Sequence, residues 1–277
     1  MRTVRLYIKR GLNRIGLLTL VRNIYRGYGR VASVGARREN SRFKERWPPD
    51  EVPLPPEGLV YLVTQQYRIE PFLANGLLGS TCIRSVLSKN KLDIEKFESI
   101  LDFGCGCGRV MRHWRKLPHS RLYGTDYNPR LIEWCRTALT FAQFSINELH
   151  GPLPYQDRQF DFLYAISVLT HLNVQEQQDW MKELWRVLKP GGYFYVTVHG
   201  MMRSEMTRAE QKSFEAGNPI VFADRYAGSN ICVSFCPEPF MRNVLAKDFT
   251  VVDYVPLGAK DAGQDVYLLQ KPLASHV

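Results

Sequence analysis

Apolar residues along the chain fall into short continuous runs separated by stretches with the 3.6-residue spacing of amphipathic helices. Ile100 to Phe103 and Phe160 to Val168 read as buried strands, and Arg121 to Asp126 and Tyr193 to Val198 as further strands. Gln175 to Leu188 reads as an amphipathic helix, stopped by Lys189-Pro190-Gly191-Gly192. A helix is expected from Arg109 to Lys116, another pattern of helical spacing covers Leu59 to Leu87, and Asp93 to Phe97 leads into the first strand. Pro237 to Lys247 predicts a helix, Phe249 to Val255 a sixth strand and Asp265 to Gln270 a seventh. Strand and helix alternate through the core, which implies an α/β fold with a parallel sheet. Residues 201–236 break the alternation: they are polar, carry Gly217-Asn218-Pro219 and Ala227-Gly228-Ser229-Asn230, and follow a strand end where a substrate lid belongs.

The first strand runs into Asp102-Phe103-Gly104-Cys105-Gly106-Cys107-Gly108-Arg109. Glycines at every second position let main-chain N–H groups approach a ligand closely. Arg109 stands where a dinucleotide fingerprint places its third glycine, which argues against a nicotinamide enzyme. The second strand ends in Asp126, and a carboxylate there can accept both hydroxyls of a ribose, so the ligand is read as a nucleoside.

From about Ser99 to Lys271 these motifs, in this order, resemble the class I S-adenosylmethionine-dependent methyltransferases. The resemblance implies a Rossmann-like, doubly wound, seven-stranded sheet, mostly parallel with an antiparallel last strand. It implies that Asp102, Phe103, Gly104, Cys105, Gly106 and Gly108 wrap the methionine part of the cofactor, that Asp126 holds the ribose and that Tyr127 lies against the adenine. Asn147 stands where the family often has an acid contacting the adenine amino group; Glu148 and Ile166 complete the implied cofactor set. Gly151 to Tyr155 with Asp157 and Phe160-Asp161 matches the family's approach to its fourth strand. Within the family, the glycine loop, Ser167 to Leu172 and Gln264 to Leu269 are similar to bacterial small-molecule methyltransferases. Residues 1–50 are then a basic helical N-terminal arm and linker, 51–98 a helical extension on the substrate side, and 99–277 the catalytic domain with its lid at 201–236.

Charge separates the arm from the rest. Residues 1–50 hold 13 Lys+Arg against Glu39, Glu45 and Asp50, leaving 24 charges of each sign beyond them. A neutral catalytic body argues against a nucleic-acid substrate. Residues 1–30 place Val4, Tyr7, Ile8, Leu12 and Ile15, then Leu18, Val21, Ile24, Tyr25 and Tyr28, on apolar faces opposite arginines. An anionic membrane surface, a protein partner or the arm's own domain, and an organellar transit signal are all open readings. No window is apolar enough to span a bilayer. Ala36 to Gly58, with Trp47-Pro48-Pro49 and Pro53-Leu54-Pro55-Pro56, reads as an extended linker. The six cysteines contain no C-x-x-C pair and fit reduced thiols in a cytoplasmic protein, lying at most at the inner face of the membrane.

Methyl transfer is an in-line displacement in which the protein aligns the acceptor, and a hydroxyl acceptor profits from a base. His171, after the fourth strand, and His199, after the fifth, are the candidates. No carboxylate cluster suited to a metal is assembled. The expected activity is methyl transfer to a hydroxyl or carboxyl of a small-molecule, glycan or lipid-linked acceptor. The competing reading is a protein of this fold that acts on nucleic acid or protein, or binds the cofactor without catalysis. Ala165-Ile166-Ser167-Val168 occupies the place of the N-P-P-Y of base N-methylation and the Pro-Cys of cytosine methylation, which counts against nucleic acid.

Overall fold

The computed structural model describes residues 35–201 and 206–273; the amphipathic pattern read over residues 1–30 lies outside them. Residues 35–45 form helix α1, followed by α2 (Glu57–Thr64) and α3 (Ile69–Lys89). The core then alternates β1 (Ser99–Phe103), β2 (Arg121–Asp126), α4 (Pro129–Ala138), β3 (Gln143–Ile146), β4 (Phe160–Ala165), α5 (Val174–Val187) and β5 (Leu188–Val198). After β5 come α6 (Arg208–Glu215), the small strands β6 (Ile220–Phe222) and β7 (Val233–Phe235), and finally β8 (Thr250–Ala259) and β9 (Gln264–Gln270).

Seven strands form one sheet in the order β3-β2-β1-β4-β5-β9-β8. β1 pairs in parallel with both β2 and β4, so the strand order reverses at β1 and opens a crevice at its carboxyl end. β9 runs antiparallel to β5, from Tyr193↔Gln270 to Val198↔Asp265, as the resemblance implies. That direction carries the β8–β9 turn to the same edge of the sheet as the glycine loop. Every residue of β1 is buried, and apolar clusters cover both faces of the sheet, which is why the central strands read as unbroken apolar runs.

Several elements differ from the sequence reading. Residues 35–45 of the expected extended linker are helical. Asn40 explains their placement: its amide donates to the Tyr67 carbonyl at 2.8 Å and accepts from the Ile69 N–H at 3.0 Å, tying α1 to the start of α3. The run from Leu59 to Leu87 is two helices, interrupted where Gln65 takes a left-handed conformation, φ 57°. The helix expected over Arg109 to Lys116 is a single 3-10 turn, Met111–Trp114, whose ends are buried. Trp114 is anchored by its indole N–H to the Tyr164 hydroxyl at 3.1 Å. Lys189 to Gly192 continues β5 instead of preceding it, with a register shift against β4 that absorbs the two glycines. The helix expected from Pro237 is α-helical only over Glu238–Phe240 and continues as a π turn, Met241–Leu245. No helix among the described residues is long and apolar enough to cross a membrane.

Candidate active site

The three loop glycines share left-handed backbone, with φ of 76°, 57° and 69° at Gly104, Gly106 and Gly108. A residue with a side chain adopts this region at a cost, so the loop's path is written in its composition. Asp126 braces that path. One of its carboxylate oxygens accepts from the Gly106 N–H at 3.0 Å and the other from the Asn128 N–H at 2.9 Å. Burial pushes Asp126 above the usual carboxylate range, while these N–H donors pull it down. A carboxylate offers about four lone-pair positions, so capacity for ligand hydroxyls remains after these two bonds. Asp126 thus ties the end of β2 to the loop after β1, a structural duty that the sequence did not reveal.

Asp102 lies beneath the loop, and burial pushes it up to about 7, against the hydrogen bond from Tyr164 and the charge of Arg109. Beyond Asp126, Asn147 is already engaged: its side-chain oxygen accepts from the Thr125 hydroxyl at 2.8 Å and its amide donates to the Glu148 carbonyl at 2.7 Å. The second lone pair on that oxygen is what it could offer an amino group.

These residues border a cavity of about 580 Å³, within the range of small-molecule and cofactor sites. Asp102, Phe103, Gly104, Cys105, Gly106, Asp126, Tyr127, Asn147, Glu148, Ile166, His171 and His199 all line it. Gly108 is not among the lining residues; a Cβ there would stand 2.3 Å from Leu139 Cδ1, so its lack of a side chain serves packing against the end of α4. Fit to a nucleoside ligand rests on the loop and Asp126: backbone without side chains on one side, a braced carboxylate with spare lone pairs on the other.

The roof was only partly foreseen. Leu62, Val63, Gln65 and Gln66, at and after the end of α2, cover the loop, and Asn230 from the insertion donates its amide to the Leu62 carbonyl at 3.2 Å. The N-terminal extension and the insertion therefore meet over the cavity. The insertion has its own small apolar cluster, formed by Met206, Phe214, Val233 and Phe235. It also grips the two histidines. The Cys236 N–H donates to the His199 carbonyl at 2.9 Å, and the His199 ring lies 5.3 Å from that of Phe235. His171 is held from two sides: the Gly228 N–H donates to its carbonyl at 2.8 Å, and its Nδ1 lies 2.9 Å from the Cys232 carbonyl oxygen. His171 does not cap α5. That helix is capped by Asn173, in a reciprocal pair with Glu176.

Ser167, Arg109, Asn75, Asp261 and Gln264 also line the cavity and were missed as site residues. Gln264 is the hub of a polar triangle: it accepts from the Thr197 hydroxyl and donates to Ser167 Oγ, both at 2.6 Å, while the Ser167 N–H donates to Thr197 Oγ1 at 2.9 Å. No sequence spacing signals a group drawn from β5, β9 and the loop after β4.

Comparison with known proteins agrees with this geometry. Residues 101–196 match a family described as a methyltransferase domain. A sterol 24-C-methyltransferase of Schizosaccharomyces pombe is 31% identical over 111 residues, covering 38% of this chain and 29% of that protein. A demethylmenaquinone methyltransferase of Chlorobaculum tepidum is 28% identical over 109 residues, covering 39% and 44%. The chain thus spans less than half the length of these curated relatives. Among solved structures, an S-adenosylmethionine-dependent methyltransferase of Methanosarcina mazei matches with TM-score 0.50 at 22% identity, over 65% of this chain and 94% of that one. The 1,6-didemethyltoxoflavin-N1-methyltransferase of Burkholderia thailandensis, solved with bound S-adenosylhomocysteine, matches with TM-score 0.52 at 17% identity, over 72% and 79%. The domain matched over the glycine loop, the sheet order and the antiparallel final strand converge: residues 101–196 carry a methyltransferase domain, in the fold shared with the S-adenosylmethionine-dependent methyltransferases.

Proposed function

We propose that this protein transfers a methyl group from S-adenosylmethionine to a hydroxyl or carboxyl of a small-molecule, glycan or lipid-linked acceptor, with His171 as the base. The observation that carries this reading is the clamping of His171 at the cavity by the insertion. A carbonyl oxygen can only accept, so the Cys232 carbonyl keeps the proton on His171 Nδ1. In the neutral ring, Nε2 is then the basic atom. Bound S-adenosylmethionine supplies an electrophilic methyl group on sulfur. The chain's own part is to brace the nucleoside through Asp126 and the glycine loop, to cover the site with Leu62 to Gln66, and to accept a proton at His171. Relatives named for a sterol and for demethylmenaquinone support an acceptor of small-molecule type.

A panel of a phenol, a hexose, a short-chain carboxylic acid and a primary amine, read by release of S-adenosylhomocysteine, tests the acceptor class. Turnover with at least one oxygen acceptor is expected; turnover confined to the amine would overturn the reading.

We also propose that residues 1–30 bind an anionic membrane surface, because they carry eight Lys+Arg and no acid. Each cation near such a surface contributes about 1 kcal/mol, and the Debye length shrinks from about 10 Å at 0.1 M salt to about 3 Å at 1 M. The full chain is expected to co-sediment with phosphatidylserine vesicles at low salt and to be released at 1 M. A truncated chain starting at Val31, which keeps α1, should stay in the supernatant while still binding S-adenosylhomocysteine. Equal sedimentation of the two chains would remove the membrane role from the arm.

A further inference from the structure

Arg109 and Asp261 form an ion pair in the wall of the cavity, Nη1 to Oδ2 at 2.9 Å, with the Asp261 side chain fully buried and that of Arg109 15% exposed. Nη1 also donates to the Asn75 carbonyl at 3.1 Å. The residue after the glycine loop, the helix α3 and the β8–β9 turn therefore meet at one point. Helix α3 makes room for the pair: a Cβ on Gly79 would stand 2.9 Å from Asp261 Oδ2. A glycine inside a helix is less favourable than an alanine, so the space is kept at the helix's expense.

The pair is not saturated. Asp261 Oδ1 is buried without a hydrogen-bond partner among the described residues. The hydrogen bonds of Arg109 run through Nη1, which leaves Nε and Nη2 to be engaged. A buried carboxylate oxygen without a donor is costly, and such groups are ordinarily satisfied by a ligand, an ion or water. Here a negative acceptor and several positive donors lie side by side. A plain cation would answer Asp261 and not Arg109; a phosphate would answer Arg109 and be repelled by Asp261. An α-amino acid zwitterion answers both, its ammonium donating to Asp261 and its carboxylate accepting from the guanidinium. The pair also lies on the correct side of the site, since the charge of Arg109 acts on Asp102 at the head of the loop.

We propose that Arg109 and Asp261 form a zwitterion clamp that holds the amino-acid end of S-adenosylmethionine. The inference rests on the cofactor assignment above and adds two residues to it, one of them from the β8–β9 turn, far from the glycine loop in sequence. Calorimetric titration with S-adenosylhomocysteine and with 5′-methylthioadenosine, which keeps the nucleoside and sulfur but lacks the amino-acid end, tests it. The unaltered protein is expected to bind S-adenosylhomocysteine at least about tenfold more tightly than methylthioadenosine. In Asp261→Asn, which keeps the shape and removes the charge, affinity for S-adenosylhomocysteine should fall roughly ten- to a hundredfold while that for methylthioadenosine holds. Retained methylthioadenosine binding also shows that the variant is folded. Equal losses for both ligands, or no loss for either, would overturn the clamp. An unaltered protein that binds neither ligand would overturn the cofactor assignment itself and the clamp with it.

Discussion

Gly106→Leu is expected to lower the affinity for S-adenosylhomocysteine by more than about a hundredfold, beyond the loss of a single charge-assisted hydrogen bond. Two costs coincide at this position. Its φ of 57° lies in the left-handed region, where a residue with a branched side chain pays on the order of 1–3 kcal/mol. A Cβ there would also stand 2.8 Å from Val63 Cγ2, with a second Val63 methyl at 3.4 Å. Leucine must therefore either lift the end of α2, opening the roof, or shift the loop and strain the Gly106 N–H bond to Asp126. Both movements reach the ligand. Titration calorimetry beside circular dichroism separates loss of binding from loss of fold. The double variant Gly106→Ala with Val63→Ala should regain part of the affinity, because the clash is relieved and only the backbone strain remains. Unchanged affinity in Gly106→Leu would take the glycine loop out of the binding site.

The cofactor half of the site was legible because its information is local. Glycines at alternate positions, an acid closing the next strand and an amphipathic helix from Gln175 are each written within a few residues. β3 escaped notice because Gln143-Phe144-Ser145-Ile146 is short and at the sheet edge, where only Phe144 is buried. The helix over 35–45 was masked by the prolines that follow it, and its position depends on Asn40 bonding to residues almost thirty positions away. The roof and the acceptor side were illegible for the same reason. Val63 over Gly106, Asn230 against Leu62, Gln264 between Thr197 and Ser167, and Asp261 beside Arg109 are all meetings of distant segments. No period or spacing in one sequence encodes them.

His171→Ala is expected to lower kcat by about 10² to 10⁴, the usual worth of a positioned general base, with little change in affinity for S-adenosylhomocysteine. The base must be unprotonated to act, so kcat of the unaltered protein should rise with pH as the imidazole loses its proton, and the rise should vanish in the variant. His199→Ala is the companion variant, because His199 lines the same cavity; a larger loss of kcat there than in His171→Ala would move the base to His199. The Cys232 carbonyl sets the tautomer of His171, and it belongs to the insertion. Loosening the insertion should therefore act on catalysis through His171. Gly228→Val is suited to this: the backbone there has φ 80°, and a Cβ would stand 2.7 Å from Leu149 Cδ2, so the segment that donates to the His171 carbonyl must shift. Its kcat should fall in the same direction as that of His171→Ala, and the combined variant should lose little more than His171→Ala alone, since both changes remove one function. A flat pH profile together with an active His171→Ala variant would reduce His171 to a positioning residue and leave alignment of the acceptor as the chain's whole contribution.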